Sequence, residues 1–436
     1  MRIIFRNFHI IDAFTDMTGT VIIDGGRIVE VISKEETQRR AALEAGCGAS
    51  RGLVFDGNEQ LVLTSGFVDM HAHFREPAES SKLDDSNSLG FVKKETLESA
   101  SLAAARGGYT SVVCMANTNP AIDNAAAASA LKHRADALGL IRLYPAVSLS
   151  ERMRGESLSP YLSEKSEGTS VYNPPLLSED GKDIADDGLF AAAMREAAKR
   201  GALVSCHCDF GGEDAAVERA VRIGAGTGVR LHIAHISTKR TADIMSRQKK
   251  ASAPLAPRTV QTLTAEATPH HIALTERDAD KAGVETFGKV APPLRGETDR
   301  LALIEALRDG VIDVIATDHA PHAPADKQGG APGFSGLETA FAVCNTILVK
   351  KNDFSPQKLF SLLSATPARI LGLSGRGFIA KGNYADIVIL DTEKEIIVDS
   401  GKFASRGKNT LFNGWKLSGS VLLTLCDGKI VHHAAD

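Results

Sequence analysis

The sequence predicts an α/β protein: a (β/α)8 barrel of the TIM type, joined to a small β-sandwich domain built from both ends of the chain. The middle of the chain alternates eight strand-like runs with helix-like runs, which is the pattern of a closed parallel barrel. Both ends instead carry short alternating strands separated by turns. We therefore assign residues 61–374 to the barrel, and residues 1–60 and 375–436 to the sandwich.

The two ends share one pattern, in which apolar residues alternate with polar ones. Near the N-terminus the strand-like segments are IIFRNFHII, TVIIDGGRIVEVI and LVFDGNEQLVLTSG, with Gly25-Gly26 as a turn. From about Gly377 onward, the segments GFIAKGNYADIVILD, EIIVD and GSVLLTLCDGKIVHH repeat this pattern. A strand with one apolar face needs a partner that covers it. We expect the two ends to pair into one small β-sandwich.

Eight apolar runs in the middle of the chain are the candidate barrel strands. They are residues 66–73, 110–116, 141–147, 170–177, 203–208, 230–236, 260–268 and 311–319. Helix-like stretches lie between them, for example residues 93–107 and 186–201, which end at glycine, and residues 297–310. Because the active sites of such barrels lie at the C-terminal ends of the strands, the chemistry is expected there.

Bulk properties exclude several classes of function. The chain has 436 residues, of which 43% are hydrophobic, so it can bury a large core without a partner. A formal net charge of −4, with acids and bases interspersed, gives no electrostatic case for binding nucleic acid or an anionic membrane. The six cysteines are dispersed, and neither a signal peptide nor a long apolar span is present. We expect a cytoplasmic protein that acts on a small polar molecule.

Histidine and aspartate side chains end several of the predicted strands. His71 and His73 are two residues apart at the end of the first strand, so they point to the same side. His207 ends the fifth strand, His235 the sixth and Asp318 the eighth. Imidazole and carboxylate groups that converge in this way are the ligand set expected for Zn²⁺ in a catalytic site.

Other interpretations apply to single residues of this set. A histidine at a strand end is more often a hydrogen-bonded structural residue, and His232 and His319 fit that description. The pair His270-His271 stays open between a pocket role and a structural role. For Asp318 the alternative is a helix N-cap, which we disfavour because this acid follows the apolar run VIDVIA at the end of a strand.

Several longer motifs carry a family resemblance. In chain order they are GFVDMHAHFREP, GGYTSVVCMANTNP, LSEDG, HISTK, EATPHH, PPLRGETDR and VIATDHAPH. Together, from about residue 60 to residue 390, they resemble the bacterial dihydroorotases within the amidohydrolase superfamily. The HxH motif alone indicates only the superfamily, whereas TDHAPH with HISTK and PPLR narrows the resemblance to enzymes that act on cyclic amides.

The resemblance implies a centre of one or two Zn²⁺ ions. It divides the ligands between them, with His71, His73 and Asp318 on one ion and His207 and His235 on the other. Related hydantoinases and allantoinases bridge the ions with a carboxylated lysine, whereas dihydroorotases of this type place an aspartate there. The segment Ser178-Glu179-Asp180-Gly181 supplies Asp180 as the proposed bridge, and no lysine precedes it in VYNPPLLSEDG.

The reaction that the resemblance implies is the reversible hydrolysis of the cyclic amide of (S)-dihydroorotate to N-carbamoyl-L-aspartate, a step of pyrimidine biosynthesis. Coordination to zinc polarises the carbonyl group and lowers the pKa of a bound water from about 16 toward about 7, so that hydroxide is the nucleophile at neutral pH. Asp318 then takes the hydroxide proton as a general base and delivers it to the departing nitrogen as a general acid.

Arg75 is the candidate for substrate recognition. It lies two residues beyond His73, so the strand pleat aims it toward the same pocket, where a guanidinium can bind a carboxylate bidentately. The alternative is a surface ion pair with Glu76. The resemblance implies further substrate contacts from His73, Asn117 and His322, and from the backbone of Pro332 and Gly333.

The sequence departs from the family pattern at two places. Ala291, in KVAPPLR, replaces an asparagine that helps to bind the substrate in the family, and a lost hydrogen bond costs about 0.5–1.5 kcal/mol. Residues 78–94 form an insertion after the first strand, for which a lid, an interface element and a surface loop all stay open. The loop expected to close over the substrate is His322 to Phe334, in which Gly329-Gly330 permits movement.

Two other functions stay open at this point. One is another cyclic amidase, of the hydantoinase or allantoinase type, which shares the fold and the metals but lacks the arginine and uses a bridging lysine. The other is a non-catalytic dihydroorotase-like partner of aspartate carbamoyltransferase, although every proposed metal ligand is present here. The partners we consider are a small-molecule substrate, a second copy in a homodimer and aspartate carbamoyltransferase, but neither nucleic acid nor a membrane.

Overall fold

The computed structural model describes residues 2–44, 52–77, 94–163, 172–208, 211–251 and 262–434. The insertion expected at residues 78–94 lies outside the described residues, apart from Lys94, so its role stays a prediction. Within the described ranges, no helix combines the length and the apolar character needed to cross a lipid bilayer.

Strands from both ends of the chain form one sheet. They are β1 (Ile3–Ile11), β2 (Asp16–Asp24), β3 (Arg27–Ser33), β4 (Leu53–Asp56), β5 (Val62–Ser65), β14 (Ile387–Ile397), β15 (Lys416–Cys426) and β16 (Lys429–His433). They pair in the order β16-β15-β14-β5-β1-β2-β3, and β4 pairs with β1. β5 joins the two chain ends, because it lies parallel to β1 and antiparallel to β14. The expected pairing of the two ends is confirmed.

One face of this sheet encloses an apolar core. Alternating side chains of β1 pack in a single cluster with residues of β14 and β15, among them Ile3, Phe5, Ile387, Ile389, Leu423 and Leu425. Because this cluster also includes Ile28 of β3, the sheet curves around it. β5 runs to Ser65, a few residues past the expected start of the barrel. The division into domains at residues 60/61 and 374/375 stays a prediction.

Each of the eight strands expected in the middle of the chain is present. They are β6 (Phe67–Ala72), β7 (Tyr109–Cys114), β8 (Arg142–Pro145), β9 (Leu176–Ser178), β10 (Leu203–Cys206), β11 (Arg230–Ile233), β12 (Leu263–Ala267) and β13 (Val314–Ile315). Within β6 to β8, and again within β9 to β13, neighbouring strands pair in parallel. The short, almost entirely buried runs explain why the sequence pattern was continuously apolar rather than alternating.

Two further contacts join these groups into a closed ring. Val147, just after β8, pairs in parallel with Leu177 of β9, and Ala72 of β6 pairs in parallel with His319 beyond β13. The N–H of His73 donates to the carbonyl of His319 (2.8 Å), which fixes the second junction. The ring of eight parallel strands therefore closes beside the residues that the sequence singled out for chemistry.

Helices connect the strands. The α-helices are α1 (Lys34–Glu44), α2 (Leu97–Arg106), α3 (Ala125–Leu138), α4 (Pro160–Ser163), α5 (Asp187–Lys199), α6 (Glu213–Ala225), α7 (Lys239–Ala251), α8 (Pro269–Ala273), α9 (Glu276–Ala282), α10 (Glu297–Arg308), α11 (Pro324–Gln328), α12 (Ala340–Cys344), α13 (Pro356–Phe360) and α14 (Thr366–Leu371). Turns of π-helix lie at Gly283–Phe287, Asn345–Lys350 and Ser361–Ala365, and 3₁₀ turns at Glu151–Met153 and Ser400–Lys402. The three helices predicted from sequence are confirmed as α2, α5 and α10.

Local sequence sets where the barrel helices begin and end. α2 follows Thr96, whose hydroxyl accepts a hydrogen bond from the N–H of Ser99, and α3 follows Asn124, whose side chain accepts from the N–H of Ala127. These oxygens satisfy amides that no helical carbonyl reaches. α3 ends at Gly139, where φ is 66°, a left-handed value that glycine adopts without steric cost.

A continuous apolar cluster holds the strands to the helices. It includes Val112, Leu143, Leu177, Val204 and Leu231, which belong to five strands that follow one another around the ring. Full burial of a Val or Leu side chain contributes about 1.5–3 kcal/mol. Apolar packing between the strands and the helices therefore fixes the position of the strand ends, at which the polar side chains lie.

Candidate metal centre and substrate pocket

His71 and His73 lie at the end of β6, and each has one ring nitrogen held by a neighbour. Nδ1 of His71 donates to Oε1 of Glu266 (2.7 Å), and Nδ1 of His73 donates to Oδ1 of Asn117 (3.0 Å). The Nε2 atoms then lie close to Oδ1 of Asp318, at 3.4 Å from His71 and 3.1 Å from His73. Both imidazoles thus present Nε2 to the same carboxylate.

Asp180 connects these residues to two histidines of neighbouring strands. Its Oδ1 lies 2.9 Å from Nδ1 of His207, and its Oδ2 lies 3.3 Å from Nε2 of His73. Nδ1 of His207 is 3.2 Å from Nε2 of His235, while the other ring nitrogen of His207 bonds the hydroxyl of Ser178 (2.8 Å). The structure therefore brings together, as buried residues, all six candidate ligands: His71, His73, Asp180, His207, His235 and Asp318.

Two of these residues have a strained backbone. φ is 28° at His235 and 44° at Asp318, and Arg75 close by has a φ of 59°. For residues other than glycine, this left-handed region costs on the order of 1–3 kcal/mol, and such strain concentrates at functional sites. β11 and β13 have already ended at Ile233 and Ile315, so these turns direct the side chains that follow the strands.

The donor set fits one or two divalent cations. The donor atoms form two groups, and within each group all of them lie within 4.8 Å of one another. One group consists of His71, Asp180, His207 and His235, and the other of His71, His73 and Asp318. Tetrahedral ligands of zinc are about 3.3–3.6 Å apart, and the nitrogen–oxygen separations around Asp180 and Asp318 are 2.9–3.8 Å. Nε2 of His71 is buried without a hydrogen bond in the described part of the chain, as expected of a nitrogen that binds a cation.

The charges of the cluster compensate one another. Burial alone lowers the pKa of His71, but the Asp318 and Glu266 carboxylates outweigh it and hold that pKa well above its usual value. Burial raises the pKa of Asp180, but His207 and His73 outweigh it and bring that pKa well below its usual value. The pKa of Asp318 is lowered in the same way, since His71 and His73 outweigh burial. Both carboxylates are ionised at neutral pH, which is the form that binds a cation.

Two buried acids brace the centre. Glu266 of β12 contacts His71 through Oε1 and Nε2 of His232 through Oε2 (3.1 Å). Asp69 of β6 accepts hydrogen bonds from the N–H groups of Thr317 (3.0 Å) and His71 (3.2 Å), which ties β6 to the segment that carries Asp318. Sequence reasoning missed both residues. The available signal was a single acid inside an apolar run, in LTAEA and in GFVDM.

Three of the four remaining histidines near the strand ends have hydrogen-bond partners. His232 bonds Thr264 and Glu266, and the ring of His319 accepts a hydrogen bond from the N–H of Gly336 (3.1 Å). Both nitrogens of His271 are bonded, whereas Nε2 of His270 is buried without a partner in the described residues. These contacts support a structural role for His232, His319 and His271.

A pocket adjoins the candidate centre. Its walls comprise His73, Arg75, Asn117, Asp180, Gly181, His235, Ala291, Asp318, Ala320, His322, Pro332 and Gly333. Every residue that the sequence predicts for substrate binding is in this set. His71 and His207 lie deeper and do not line the pocket. Ala291 contributes only a methyl group at this wall. Its side chain therefore cannot form the hydrogen bond that an asparagine would form at this position.

Arg75 is the basic residue of that wall. Its side chain is buried, and among the residues that the structure describes it makes only long contacts, 3.4 Å from Nε to the carbonyl of Pro321 and 3.4 Å from Nη2 to Nε2 of His322. Within the described ranges it forms no ion pair, and Glu76 pairs with Arg134 instead. A buried guanidinium without a counter-ion is suited to receive an anionic ligand.

Asn117 already has partners on both sides of its amide. Its oxygen accepts from Nδ1 of His73, and its Nδ2 donates to Oδ2 of Asp180 (2.9 Å). Asn117 therefore orients two candidate ligands, in addition to lining the pocket.

The backbone of Pro332 and Gly333 is also engaged. The carbonyl of Pro332 accepts from Nε2 of His322 (2.9 Å), and the N–H of Gly333 donates to the carbonyl of Lys289 (3.0 Å). The carbonyl oxygen of Pro332 keeps a second lone pair that can accept a further hydrogen bond, whereas the carbonyl of Gly333 already accepts from Lys327 and Asn409. This wall thus offers acceptors rather than donors.

Comparison with known proteins agrees with this geometry. Residues 62–431 match the model of the Amidohydrolase family. The dihydroorotase of Thermus aquaticus is 38% identical and is covered over 100% of both chains. The dihydroorotase of Thermoanaerobacter sp. (strain X514) is 37% identical over 99% of this chain and 97% of its own. This chain belongs to the amidohydrolase family, among the dihydroorotases. The resemblance seen in its motifs is confirmed.

Solved structures share the fold of this amidohydrolase. The L-hydantoinase from Arthrobacter aurescens has a TM-score of 0.80 at 21% identity, over 100% of this chain and 96% of that one. The dihydropyrimidinase from Brevibacillus agri has a TM-score of 0.77 at 19% identity, over 99% and 95% of the two chains. At these identities the likeness shows the fold alone. Family membership and the buried donor clusters together make the chain a metal-dependent hydrolase.

Proposed function

We propose that this amidohydrolase is a dihydroorotase, which interconverts (S)-dihydroorotate and N-carbamoyl-L-aspartate in pyrimidine biosynthesis. The observation that carries the proposal is that Arg75 lies on the wall of the same pocket as Asp318 and three other candidate ligands. A cyclic amide that also bears a carboxylate uses both features. The curated relatives at 37% and 38% identity are named dihydroorotases, which supports the same substrate.

We assign the metal of this centre as zinc, with one or two ions. The residues that would hold it are His71, His73, Asp180, His207, His235 and Asp318. Imidazole-rich sets at tetrahedral spacing favour Zn²⁺, whereas Mg²⁺ and Ca²⁺ prefer sites made of oxygen atoms. When bound, the ion polarises the amide carbonyl and lowers the pKa of a water from about 16 toward about 7.

Asp318 moves the proton in the proposed reaction. Ring opening breaks the bond between the amide carbon and the ring nitrogen, adds a water oxygen to that carbon and places a proton on the nitrogen. Oδ1 of Asp318 is held near His71 and His73, so we assign Oδ2 as the atom that accepts the proton of the attacking water. The carboxylate form of Asp318 accepts this proton and then gives it to the nitrogen.

Arg75 and His322 are the proposed carboxylate site. Burial first, and then the neighbouring Arg75, lower the pKa of His322 to about 2, so its ring is neutral at pH 7. Nδ1 of His322 is buried without a partner among the described residues, which leaves one ring nitrogen for a ligand atom. The guanidinium supplies the charge, and the neutral imidazole can donate Nδ1–H to the carboxylate in the tautomer that no longer donates Nε2–H to the carbonyl of Pro332.

We further propose that the enzyme works in the cytoplasm. The cysteines in the described ranges, Cys114, Cys206, Cys208, Cys344 and Cys426, are buried and free, which is typical of a reducing compartment. A homodimer and contact with aspartate carbamoyltransferase stay predictions.

A substrate panel tests the proposed reaction. Zinc-loaded protein is assayed with dihydroorotate, hydantoin and allantoin, and dihydroorotate is expected to react fastest. Hydrolysis of hydantoin or allantoin with none of dihydroorotate would favour the hydantoinase or allantoinase alternative. Metal binding without turnover of any of the three would favour the non-catalytic alternative. Asp318→Asn should lower kcat by about 10²–10⁴-fold, with metal content measured in parallel, and the exposed Asp309→Asn serves as its control.

Arg75→Ala tests the carboxylate site. Loss of a charge-assisted bidentate contact, of about 2–3 kcal/mol, should raise the KM for dihydroorotate by about 30–150-fold. Dihydrouracil has the same ring without the carboxylate, so its KM or inhibition constant should not change. If both compounds lose affinity equally, Arg75 acts on the ring or on the fold rather than on the carboxylate.

A further inference from the structure

Lys327 of α11 is a fully buried lysine whose ammonium group gathers three carbonyl groups of the backbone. Its relative exposure is 0%. Nζ donates to the carbonyls of Lys289 (2.8 Å), Ala331 (2.8 Å) and Gly333 (3.1 Å). An ammonium has three N–H donors and no acceptor, so these three bonds satisfy it completely.

This arrangement replaces a counter-ion. Within the described part of the chain Lys327 forms no ion pair. The adjacent carboxylate, that of Asp326, pairs with Lys94 instead. The aromatic ring of Phe334 lies 5.3 Å from Nζ of Lys327. A buried charge is tolerated only when it is fully hydrogen-bonded. Conversely, three carbonyl oxygens that point at one place repel one another unless a cation lies between them. The charge and the shape of the backbone around it therefore depend on each other.

The three carbonyls belong to one wall of the substrate pocket. Gly333 lines the pocket directly, and Lys289 stands two residues before Ala291, which lines it as well. The N–H of Gly333 bonds the carbonyl of Lys289, so Lys327 clamps two segments that also bond each other. Asn409 holds the same Gly333 carbonyl from another direction (3.0 Å) and accepts a hydrogen bond from the N–H of His322 (2.9 Å).

We propose that Lys327 is a positioning residue for substrate binding, whose ammonium holds the wall formed by residues 289–291 and 331–333 in the shape that receives the ring of the cyclic amide. This inference rests on the proposed function, because it assumes that the pocket binds such a ring. Lys327 touches neither the candidate ligands nor the pocket itself. It acts through the backbone, so its loss should weaken substrate binding more than it slows the chemical step.

The protonation state agrees with this role. Burial first, and then the nearby Lys289, lower the pKa of Lys327 to about 8. The amine is therefore mainly protonated at pH 7, and all three donors are available there.

The test compares Lys327→Met with Lys281→Met in the zinc-loaded full-length protein. Methionine keeps an unbranched side chain, one atom shorter than that of lysine, and donates no hydrogen bond. Lys281 is an exposed lysine of α9 whose loss serves as the control. We expect Lys327→Met to raise the KM for dihydroorotate at least tenfold, with kcat within about threefold and the metal content unchanged. Lys281→Met should behave as wild type. A fall in kcat or in active fraction with an unchanged KM would overturn the proposal, because that is the result of a merely structural role.

Hydrogen exchange supplies a measurement that does not need turnover. The amide of Gly333 should exchange at least tenfold faster in Lys327→Met and at the wild-type rate in Lys281→Met. If the wild type fails to act on dihydroorotate, the proposed function fails, whereas this exchange result still decides whether Lys327 holds the wall. If Lys327→Met does not fold, Lys327→Gln, which keeps two N–H donors, is measured in the same way. Wild-type KM and exchange in a folded variant of Lys327 would contradict the proposal.

Discussion

Glu266 supports the candidate metal centre from within the barrel, since its two oxygens bind a ring nitrogen of His71 and one of His232. Replacing it by glutamine removes the charge that keeps Nδ1 of His71 protonated and Nε2 directed at the cation. We expect Glu266→Gln to weaken zinc affinity by about 10–100-fold, the usual effect of losing the partner of a metal-binding histidine. Competition with a chelator measures the affinity.

An exposed glutamate gives the matched control for that change. Glu276→Gln, at the start of α9, makes the same substitution on the surface and should leave zinc affinity unchanged. Wild-type zinc affinity in Glu266→Gln would mean that packing alone orients His71.

Sequence reasoning reached the candidate ligands more easily than the residues that orient them. His71 and His73 were accessible because the strand period places them on one side, and strand ends of one barrel meet at one rim. Asp180 came only from the family resemblance, since β9 is short and nothing in its local pattern marks the aspartate. Glu266 was missed because its partners are distant in sequence and only the closed ring brings them together. Lys327 was missed because its partners are backbone carbonyls, whose direction depends on the folded loop.

At the scale of single elements, the segment from His322 to Phe334, which is expected to close over the substrate, has several contacts that fix its backbone. It contains α11, and Lys327 and Asn409 hold its carbonyls from inside. Gly329 has a φ of −77°, which any residue adopts, and only Gly330, at 82°, needs glycine. The two glycines form a turn at the end of α11, and movement of the loop over the substrate stays a prediction.

Gly333 is the position in this segment where a side chain should do the most damage. Its φ is 122°, and a Cβ there would lie 2.4 Å from the Cβ of Ala320. Gly333→Ala should therefore shift the pocket wall and raise the KM for dihydroorotate about tenfold or more. Steady-state kinetics and the melting temperature are measured together.

Gly329→Ala is the control for this loop change. At Gly329 the nearest atoms to a new Cβ are carbonyl oxygens at 3.4 Å, an ordinary contact. KM should stay at the wild-type value in this variant. Equal effects of the two substitutions would show that the loop tolerates or rejects any side chain, irrespective of φ.

At the scale of the whole molecule, a network of charges joins the terminal sheet to the barrel. Arg376 bonds both Asp386, which precedes β14, and Asp427, in the turn between β15 and β16. Asp427 also bonds Arg142 of β8. Arg376 and Asp386 have side-chain exposures of only 8% and 3%, so each needs the other.

Asp386→Ala should destabilise the protein by about 3 kcal/mol, because it leaves a buried guanidinium with one carboxylate instead of two. Urea unfolding, followed by the midpoint and slope of the transition, measures the change. Asp280→Ala, an exposed aspartate of α9, is the control and should change the free energy of unfolding by less than about 0.5 kcal/mol. A loss below about 1 kcal/mol in Asp386→Ala would show that Asp427 alone satisfies Arg376.

The broad architecture followed from sequence because it depends on short-range patterns. Period-2 alternation marked the terminal strands, and alternating strand-like and helix-like runs marked the barrel. The order in which the terminal strands pair could not be predicted in the same way. β5 pairs with β14, from which it is separated in sequence by the whole barrel, and no residue of either strand indicates that partner.

This pairing has a consequence for how the chain is made on the ribosome. β5 is synthesised early, but the strand that covers its edge begins at Ile387. At roughly 5–20 residues per second, translation of the intervening segment takes on the order of 15–60 s. For that time the nascent chain carries an uncovered strand edge, which is a template for aggregation. A nonsense mutation after Asp318 would keep all six candidate ligands in the polypeptide, but it would remove β14 and leave the edge of β5 uncovered.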